Sequence, residues 1–337
     1  MNATTSRAYS LPIVILYVTE GCNLQCITCS YRRPLPGELT LAEIEQLAQT
    51  LSRFGLKHIV YSGGEPLLRR DLPQICSIFN QIGVRQSLLT NGLLLEKRLP
   101  ELSGFFSEII VSIDGPDAEA HNSIRGIPSF DQIVKGVKFA TRTGGHAPVS
   151  IRTVVQKRNF RRIPDMVDFA KGMNVSRISF LAADVLSESF GRDTRGSVAL
   201  VSEIALNEDE LPEFRNVVEG AIIKYRHEIR NRFISESPGK LRHLVQYFEA
   251  LIGKASFPRN DCSAPMISAV ITSTGDVQPC YFLPSYGSIR ETPLPKLVNI
   301  PRIRTIRRDV RNYTLERCKT CVCTLCVRPI PALLGKF

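Results

Sequence analysis

The chain opens on an unbroken apolar, β-branched run, LPIVILYV over residues 11–18. A run of this kind with no polar alternation marks a strand covered on both faces. Residues 40–54 then switch to helical spacing: Leu41, Ile44, Leu47, Ala48 and Leu51 share one face, and Thr40 with Glu43 has the form of a capping box. The same exchange of periods continues. It predicts strands at 58–62, 85–90, 108–114, 149–156 and 177–181, with helices at 71–82, 130–143 and 163–172. Six strands joined by short loops and helical crossovers imply a parallel sheet with right-handed connections. Six units are too few for a closed eight-stranded barrel. An open α/β partial (β/α)6 TIM-like barrel is expected, with its chemistry at the C-terminal ends of the strands.

After residue 182 the alternation stops. Leu211, Phe214, Val218, Ile222, Tyr225 and Ile229 keep helical spacing behind the acidic start Glu208-Asp209-Glu210, and residues 240–252 read as a second helix. The pattern changes again after Asp261. Residues 268–272 and 277–280 flank Ser273-Thr274-Gly275-Asp276, the signature of a hairpin. The expected units are therefore a barrel core over 1–182, a helical segment over 183–260 covering the barrel mouth, and a small C-terminal Cys-rich domain over 261–337.

Composition narrows the class. Of 337 residues, 43% are apolar and 22% charged, ordinary values for a globular enzyme. No stretch approaches the roughly 20 apolar residues of a membrane span. Residues 1–10 lack a signal-peptide core, so the expected location is cytoplasmic. The net charge is +11, and residues 290–337 carry eleven Lys/Arg against three Asp/Glu. Such an excess suits nucleic acid, an acidic partner or an anionic ligand. The same 48 residues hold only Tyr313 and Phe337 as aromatics, which argues against a nucleic-acid platform.

Ten cysteines in a long chain without an export signal point to metal or cluster ligation rather than disulfides. Directly after the first strand, Cys22, Cys26 and Cys29 are spaced C-x3-C-x2-C. Three thiolates on one loop can bind three irons of a four-iron cluster and leave the fourth open to a small molecule. Structural zinc, the competing reading, wants four protein ligands, and no fourth Cys or His lies nearby. One β-α unit later, the second strand ends in Gly63-Gly64-Glu65-Pro66. Paired glycines let backbone approach a ligand closely, and a carboxylate beside them can accept from an ammonium group.

With both motifs in place, residues 11–182 resemble the radical S-adenosylmethionine (SAM) superfamily. The resemblance implies a [4Fe–4S] cluster on Cys22, Cys26 and Cys29. Its open iron would chelate SAM, and one electron would release a 5′-deoxyadenosyl radical that abstracts hydrogen from substrate. It also implies Gly63, Gly64 and Glu65 around the methionine amino group. Asn91, Ser112, Asp114 and Arg125 are further cofactor-binding candidates at the strand ends, and Arg152 in the fifth strand, like Arg125, could pair with a carboxylate. The residue before the third cysteine, usually aromatic in the family, is Thr28 here.

Cys262 and Cys280 enclose C-x12-G-x4-C, and Cys318, Cys321, Cys323 and Cys326 follow as C-x2-C-x-C-x2-C. Taken alone, such pairs also suit a zinc ribbon, and a zinc-containing nucleic-acid-binding protein is the reading from another class. Beside the barrel, they resemble the SPASM and twitch auxiliary-cluster domains. One auxiliary [4Fe–4S] cluster on Cys262, Cys280, Cys318 and Cys321 is expected. Cys323 and Cys326 are then alternative ligands or part of a second, incomplete site. Cys76 falls on an apolar helix face and reads as core. Relatives of this kind oxidise small molecules or mature ribosomal peptides. With about ten residues before the first strand, no fused leader-peptide reader is expected, which tilts the reading toward a small molecule. The helix predicted over 301–312 sets Arg304, Arg307, Arg308 and Arg311 on one face. That face is expected to be solvated or to dock an acidic electron donor such as a flavodoxin or ferredoxin.

Overall fold

The structure is a computed structural model, and it describes residues 6–142, 147–192, 198–323 and 325. The strands and helices, in chain order, are β1 (Ile13–Thr19), α1 (Leu41–Arg53), β2 (His58–Gly63), α2 (Leu72–Gln81), β3 (Arg85–Thr90), α3 (Leu95–Arg98), β4 (Glu108–Ser112), α4 (Ala118–Arg125), α5 (Phe130–Arg142), β5 (Val149–Val155), α6 (Ile163–Gly172) and β6 (Arg177–Ala182). Beyond the barrel come α7 (Val198–Ile204), α8 (Leu211–Lys224), α9 (Arg226–Arg230), α10 (Pro238–Leu251), α11 (Ala264–Ile267), β7 (Ser268–Ile271), β8 (Val277–Gln278), α12 (Leu294–Leu297), α13 (Pro301–Arg311) and α14 (Glu316–Lys319).

Strands β1 to β6 pair in parallel in sequence order and form the TIM-like partial barrel. β1 is buried at every position, and its two faces serve different cores. Val14, Leu16 and Val18 join the core beneath the helices, while Ile13, Ile15 and Tyr17 pack with Val270 on the other side. At α1 the capping box forms as the sequence predicts, with Thr40 and Glu43 each capping the other's backbone. Cys76 is fully buried in the core. Among the described residues, no helix is long and apolar enough to cross a membrane.

Two placements differ from a simple succession of units. The C-terminal hairpin extends the barrel's own sheet: β7 pairs in parallel with β1 and β8 returns antiparallel, giving the order β6-β5-β4-β3-β2-β1-β7-β8. Its four-residue strand β7 is buried throughout and covers the edge that β1 would otherwise leave open. At the opposite edge, the backbone of residues 233–235 bonds to Ile178 of β6. Phe214 of α8 meets Phe160 and Phe248 edge-on there. Of the segment expected over the mouth, it is Ala183, Asp184 and Phe190 that reach the cavity.

α4, where the sequence pattern predicts no element, is capped by Asp117 and ends at Gly126 in the left-handed conformation (φ 79°). A Cβ at Gly126 would sit 2.2 Å from the Gln25 carbonyl, so only glycine lets this helix end abut the cysteine loop. Buried His121 on α4 accepts from the Asp114 amide at 3.3 Å. Burial, followed by the Arg125 charge, lowers its pKa to about 3. The unfolded chain therefore binds a proton here that the folded one does not, and stability falls as pH drops below the ordinary histidine value of about 6.5. The expected slope is up to about 1.4 kcal/mol per pH unit until the folded value is reached. Denaturant midpoints between pH 7 and pH 5 measure it, and His121→Gln should flatten the profile.

Candidate functional site

The loop after β1 is fixed from four sides by backbone bonds. Cys22 N donates to Arg32 O, Gln25 N and Ile27 N donate to the last carbonyls of α4 at Arg125 and Ile124, and Ser30 N donates to Phe190 O. This presents Cys22, Cys26 and Cys29 to one cavity of about 250 Å³ at the C-terminal ends of the strands. Gly63, Gly64, Asn91, Ser112 and Arg125 line the same cavity. The two glycines are demanded first by the protein itself. A Cβ on Gly63 would fall 2.2 Å from Thr19 O, and one on Gly64 2.2 Å from Gly21 O. The strand end thus packs directly under the start of the cysteine loop, held by Gly64 N to Thr19 O and Glu65 N to Gly21 O, both 2.8 Å.

Two expected ligand-binding side chains point elsewhere. Glu65 is fully buried and does not line the cavity. Its carboxylate accepts from Leu67 N (2.9 Å), Thr90 Oγ1 (2.7 Å) and Asn91 N (2.7 Å), so it organises the ends of β2 and β3. Glu65→Gln replaces an acceptor by an amide that cannot serve all three donors. A loss of about 2–3 kcal/mol in stability is expected by denaturant unfolding. An unchanged midpoint with a large loss of SAM affinity would return the carboxylate to the ligand. Asp114 is likewise turned inward. It pairs with Arg125 Nε at 2.7 Å and accepts from Val154 N at 2.8 Å. Its effect on the cavity passes through Arg125, whose Nη1 lies 3.8 Å from Cys26 Sγ. Asn91 Nδ2 faces Cys22 Sγ at 3.9 Å and donates to Asn23 Oδ1 at 2.8 Å.

The opposite wall comes from the C-terminal region. Tyr281, Phe282, Val322 and Cys323 line the cavity beside Tyr17, Tyr31 and Phe190. Tyr17 meets Tyr31 edge-on and stacks on Tyr281, with centroids 6.1 and 6.3 Å apart. None of these aromatics was singled out from the sequence. The alternation along β1 carries the signal for Tyr17, which shares a face with Ile13 and Ile15. Arg152 also reaches the cavity, with Ser179 Oγ 3.4 Å from its Nε.

Behind this wall the second cysteine group is gathered. Cys280 feels the charges of Cys262, Cys318 and Cys323, and Cys321 those of Cys323, Cys280 and Cys262. Cys326 lies outside the described residues. Burial raises the thiol pKa values in both groups, to about 11 at Cys29 and Cys318 and about 12 at Cys280. Thiolate formation here needs a compensating cation, as iron supplies, and loading releases protons. Among the described residues, no three His, Cys, Asp or Glu side chains stand as a single metal ion needs them. A four-iron cluster is held by thiolates, the donor type of both groups.

Comparison with known proteins agrees with this geometry. The family model for the radical SAM superfamily matches residues 16–170, and the model for the SPASM iron–sulfur cluster-binding domain matches residues 262–322. An Fe-coproporphyrin III synthase of Methanosarcina barkeri is 32% identical over 177 residues, 50% of this chain and 43% of the relative. An AdoMet-dependent heme synthase of Nitratidesulfovibrio vulgaris is 26% identical over 83% of this chain and 76% of its own length. The chain spans about half the length of several of the curated relatives it matches. Among solved structures, SuiB of Streptococcus suis bound to S-adenosylmethionine superposes with a TM-score of 0.65 at 17% identity, over 94% of this chain and 73% of that one. The enzyme anSMEcpe with bound AdoMet gives 0.65 at 20% identity, over 96% and 89%.

Proposed function

The chain belongs to the radical SAM superfamily and carries a SPASM iron–sulfur domain, and from that premise we propose that it oxidises a small-molecule substrate held between two [4Fe–4S] clusters. Cys22, Cys26 and Cys29 hold the cluster that works on SAM, and Cys262, Cys280, Cys318 and Cys321 hold the auxiliary one. The observation that carries this reading is that Tyr281, next to Cys280, and Cys323, two residues past Cys321, line the same cavity as the first group. A substrate in that cavity touches the first group and the wall that carries the second.

When bound, these groups supply one-electron cleavage of the SAM S–C5′ bond, hydrogen-atom abstraction from substrate by the resulting carbon radical, and a sink for the electron an oxidised substrate gives up. The chain's own residues prepare the site for that chemistry. Gly63 and Gly64 offer backbone to the methionine end of SAM, with Asn91 and Ser112 at the neighbouring strand ends. Arg125, held by Asp114, donates toward the Cys26 sulfur and places a positive charge beside the cysteine loop. Tyr17, Tyr31, Phe190, Tyr281 and Phe282 wall the space with aromatic surface and shield it from bulk solvent. Arg152 presents a cation to the substrate side and suits a carboxylate or phosphate. An external one-electron donor, such as a flavodoxin or ferredoxin, completes the system.

The relatives named as an Fe-coproporphyrin III synthase and a heme synthase support a small molecule. A peptide is the second reading: the chain superposes over 94% of its length on SuiB bound to its precursor peptide SuiA. The test is anaerobic purification and reconstitution, then 5′-deoxyadenosine formation from SAM under dithionite. About eight irons per chain are expected from two four-iron clusters. A colourless, zinc-loaded protein would overturn the radical reading. Stimulation of SAM cleavage by the low-mass fraction of a cell extract supports the small molecule, and stimulation by the peptide fraction alone replaces it with the second reading.

A further inference from the structure

Residues 184–192 cross from the end of β6 to both cysteine groups. At the first group, the Phe190 carbonyl accepts from Ser30 N at 2.8 Å and lies 3.6 Å from Cys29 Sγ. Phe190 takes φ 64°, unusual for an aromatic residue, and Gly191 follows at 72°. At the second group, Ser189 Oγ donates to the Tyr281 carbonyl at 2.7 Å, one residue past Cys280. The Phe190 ring meets Phe282 edge-on at 5.9 Å.

The segment is pinned by one buried carboxylate. Asp184 Oδ1 accepts from Arg317 Nη2 at 2.6 Å, and Oδ2 accepts from Arg192 Nη2 at 2.5 Å and from Ser187 Oγ. Arg192 also donates to the carbonyls of Asp184 and Ser189, closing the segment on itself. Arg317 immediately precedes Cys318, and its guanidinium lies 5.4 Å from the centre of the Phe282 ring. The Asp184 side chain is 3% exposed and that of Arg317 18%, so solvent screens the pair poorly.

We infer that Asp184 is a positioning residue that fixes the auxiliary cysteine group against the SAM-side loop and sets, through its pair with Arg317, the charge felt by the auxiliary cluster. The inference rests on the two-cluster reading above. Cluster potentials follow local net charge, hydrogen bonding and solvent access. Reduction adds negative charge. A guanidinium left unneutralised beside the cluster therefore raises its potential, and removing the guanidinium lowers it.

The test is redox titration of the reconstituted holoenzyme, followed by electron paramagnetic resonance, for Asp184→Asn, Arg317→Gln and Arg317→Lys. Asp184→Asn is expected to shift the auxiliary potential upward and Arg317→Gln to shift it downward. Arg317→Lys should stay near wild type, and the SAM-side potential should move least in all three. Opposite signs separate electrostatic positioning from general disturbance. Shifts of one sign in both charge-removing variants, or none in either, would overturn the inference. If Asp184→Asn does not fold, the Arg317 variants decide: a glutamine variant with the wild-type potential overturns it. Iron content separates the two levels. About four irons per wild-type chain would remove the two-cluster reading and this inference with it, whereas about eight with unmoved potentials would remove the inference alone.

Discussion

Cys26→Ala is expected to reduce 5′-deoxyadenosine formation to the background without enzyme and to lower bound iron from about eight to about four per chain. Three thiolates are the minimum that the loop offers a cubane, and two cannot retain it while leaving an iron free for SAM. Cys26 is the middle thiol of the three, and its sulfur faces Arg125 at 3.8 Å. The second cysteine group hangs from β7, β8 and α14, which do not depend on this loop for their backbone pairing. Residual visible absorbance should therefore survive in the variant. The measurement is chromatographic quantification of 5′-deoxyadenosine after dithionite reduction, beside iron and sulfide analysis. Wild-type yield would show that SAM is cleaved elsewhere. Complete loss of iron would show that the two groups assemble as one.

The barrel was legible because each of its strands carries its own signal. Residues 85–90 and 163–172 form the strand and helix that the pattern predicts, to the residue. Short strand-like runs between amphipathic helices need no long-range information to be recognised. α4 escaped for the opposite reason. It has eight residues and three buried ones, Ala120, His121 and Ile124, too short a stretch for periodicity to stand out from a turn. Yet its C-terminal carbonyls hold the cysteine loop. The joining of β7 to β1 was equally hidden, since residues 13–16 and 268–271 are about 250 positions apart and no local pattern encodes their register.

At the site, motif spacing identified residue types but not the direction of their side chains. Gly63, Gly64, Asn91, Ser112 and Arg125 do line the cavity with the three cysteines. Glu65 and Asp114 belong to the same motifs and turn away, because each is claimed by neighbouring donors. A carboxylate next to a ligand-binding backbone can bind the ligand or brace the backbone, and the sequence is the same in both cases. At Glu65 the structure shows the bracing arrangement, a buried carboxylate with three donors.

Arg307→Met is expected to destabilise the fold by on the order of 2–4 kcal/mol, since each buried carbonyl left without a donor costs about 1–3 kcal/mol. The sequence sets Arg307 beside Arg304, Arg308 and Arg311 as part of a face open to solvent or to an electron donor. The structure corrects this: Arg307 is 1% exposed. Its guanidinium donates to Pro265 O at 2.6 Å, Val298 O at 2.7 Å and Ser6 O at 3.1 Å, tying α13 to α11, the end of α12 and the N-terminal segment. Burial pushes its pKa down to about 10, still well above neutral, so it remains a cation satisfied by carbonyls. Methionine matches the length of the stem but leaves those carbonyls without a donor. Arg308→Glu, on the exposed side of the same helix, should change stability by no more than about 0.5 kcal/mol. Urea unfolding of the two variants beside wild type makes the measurement, and equal midpoints would place Arg307 back on the surface. Positive charge counted along the C-terminal region is thus only partly surface charge. Arg290 pairs with Glu43 at 2.6 Å, Arg317 pairs with Asp184 at 2.6 Å, and Arg307 lies inside. A donor-docking experiment on α13 has to use the exposed Arg304, Arg308 and Arg311. A variant that includes Arg307 would lose activity with every reductant, because the domain carrying the auxiliary cysteines would no longer be held in place.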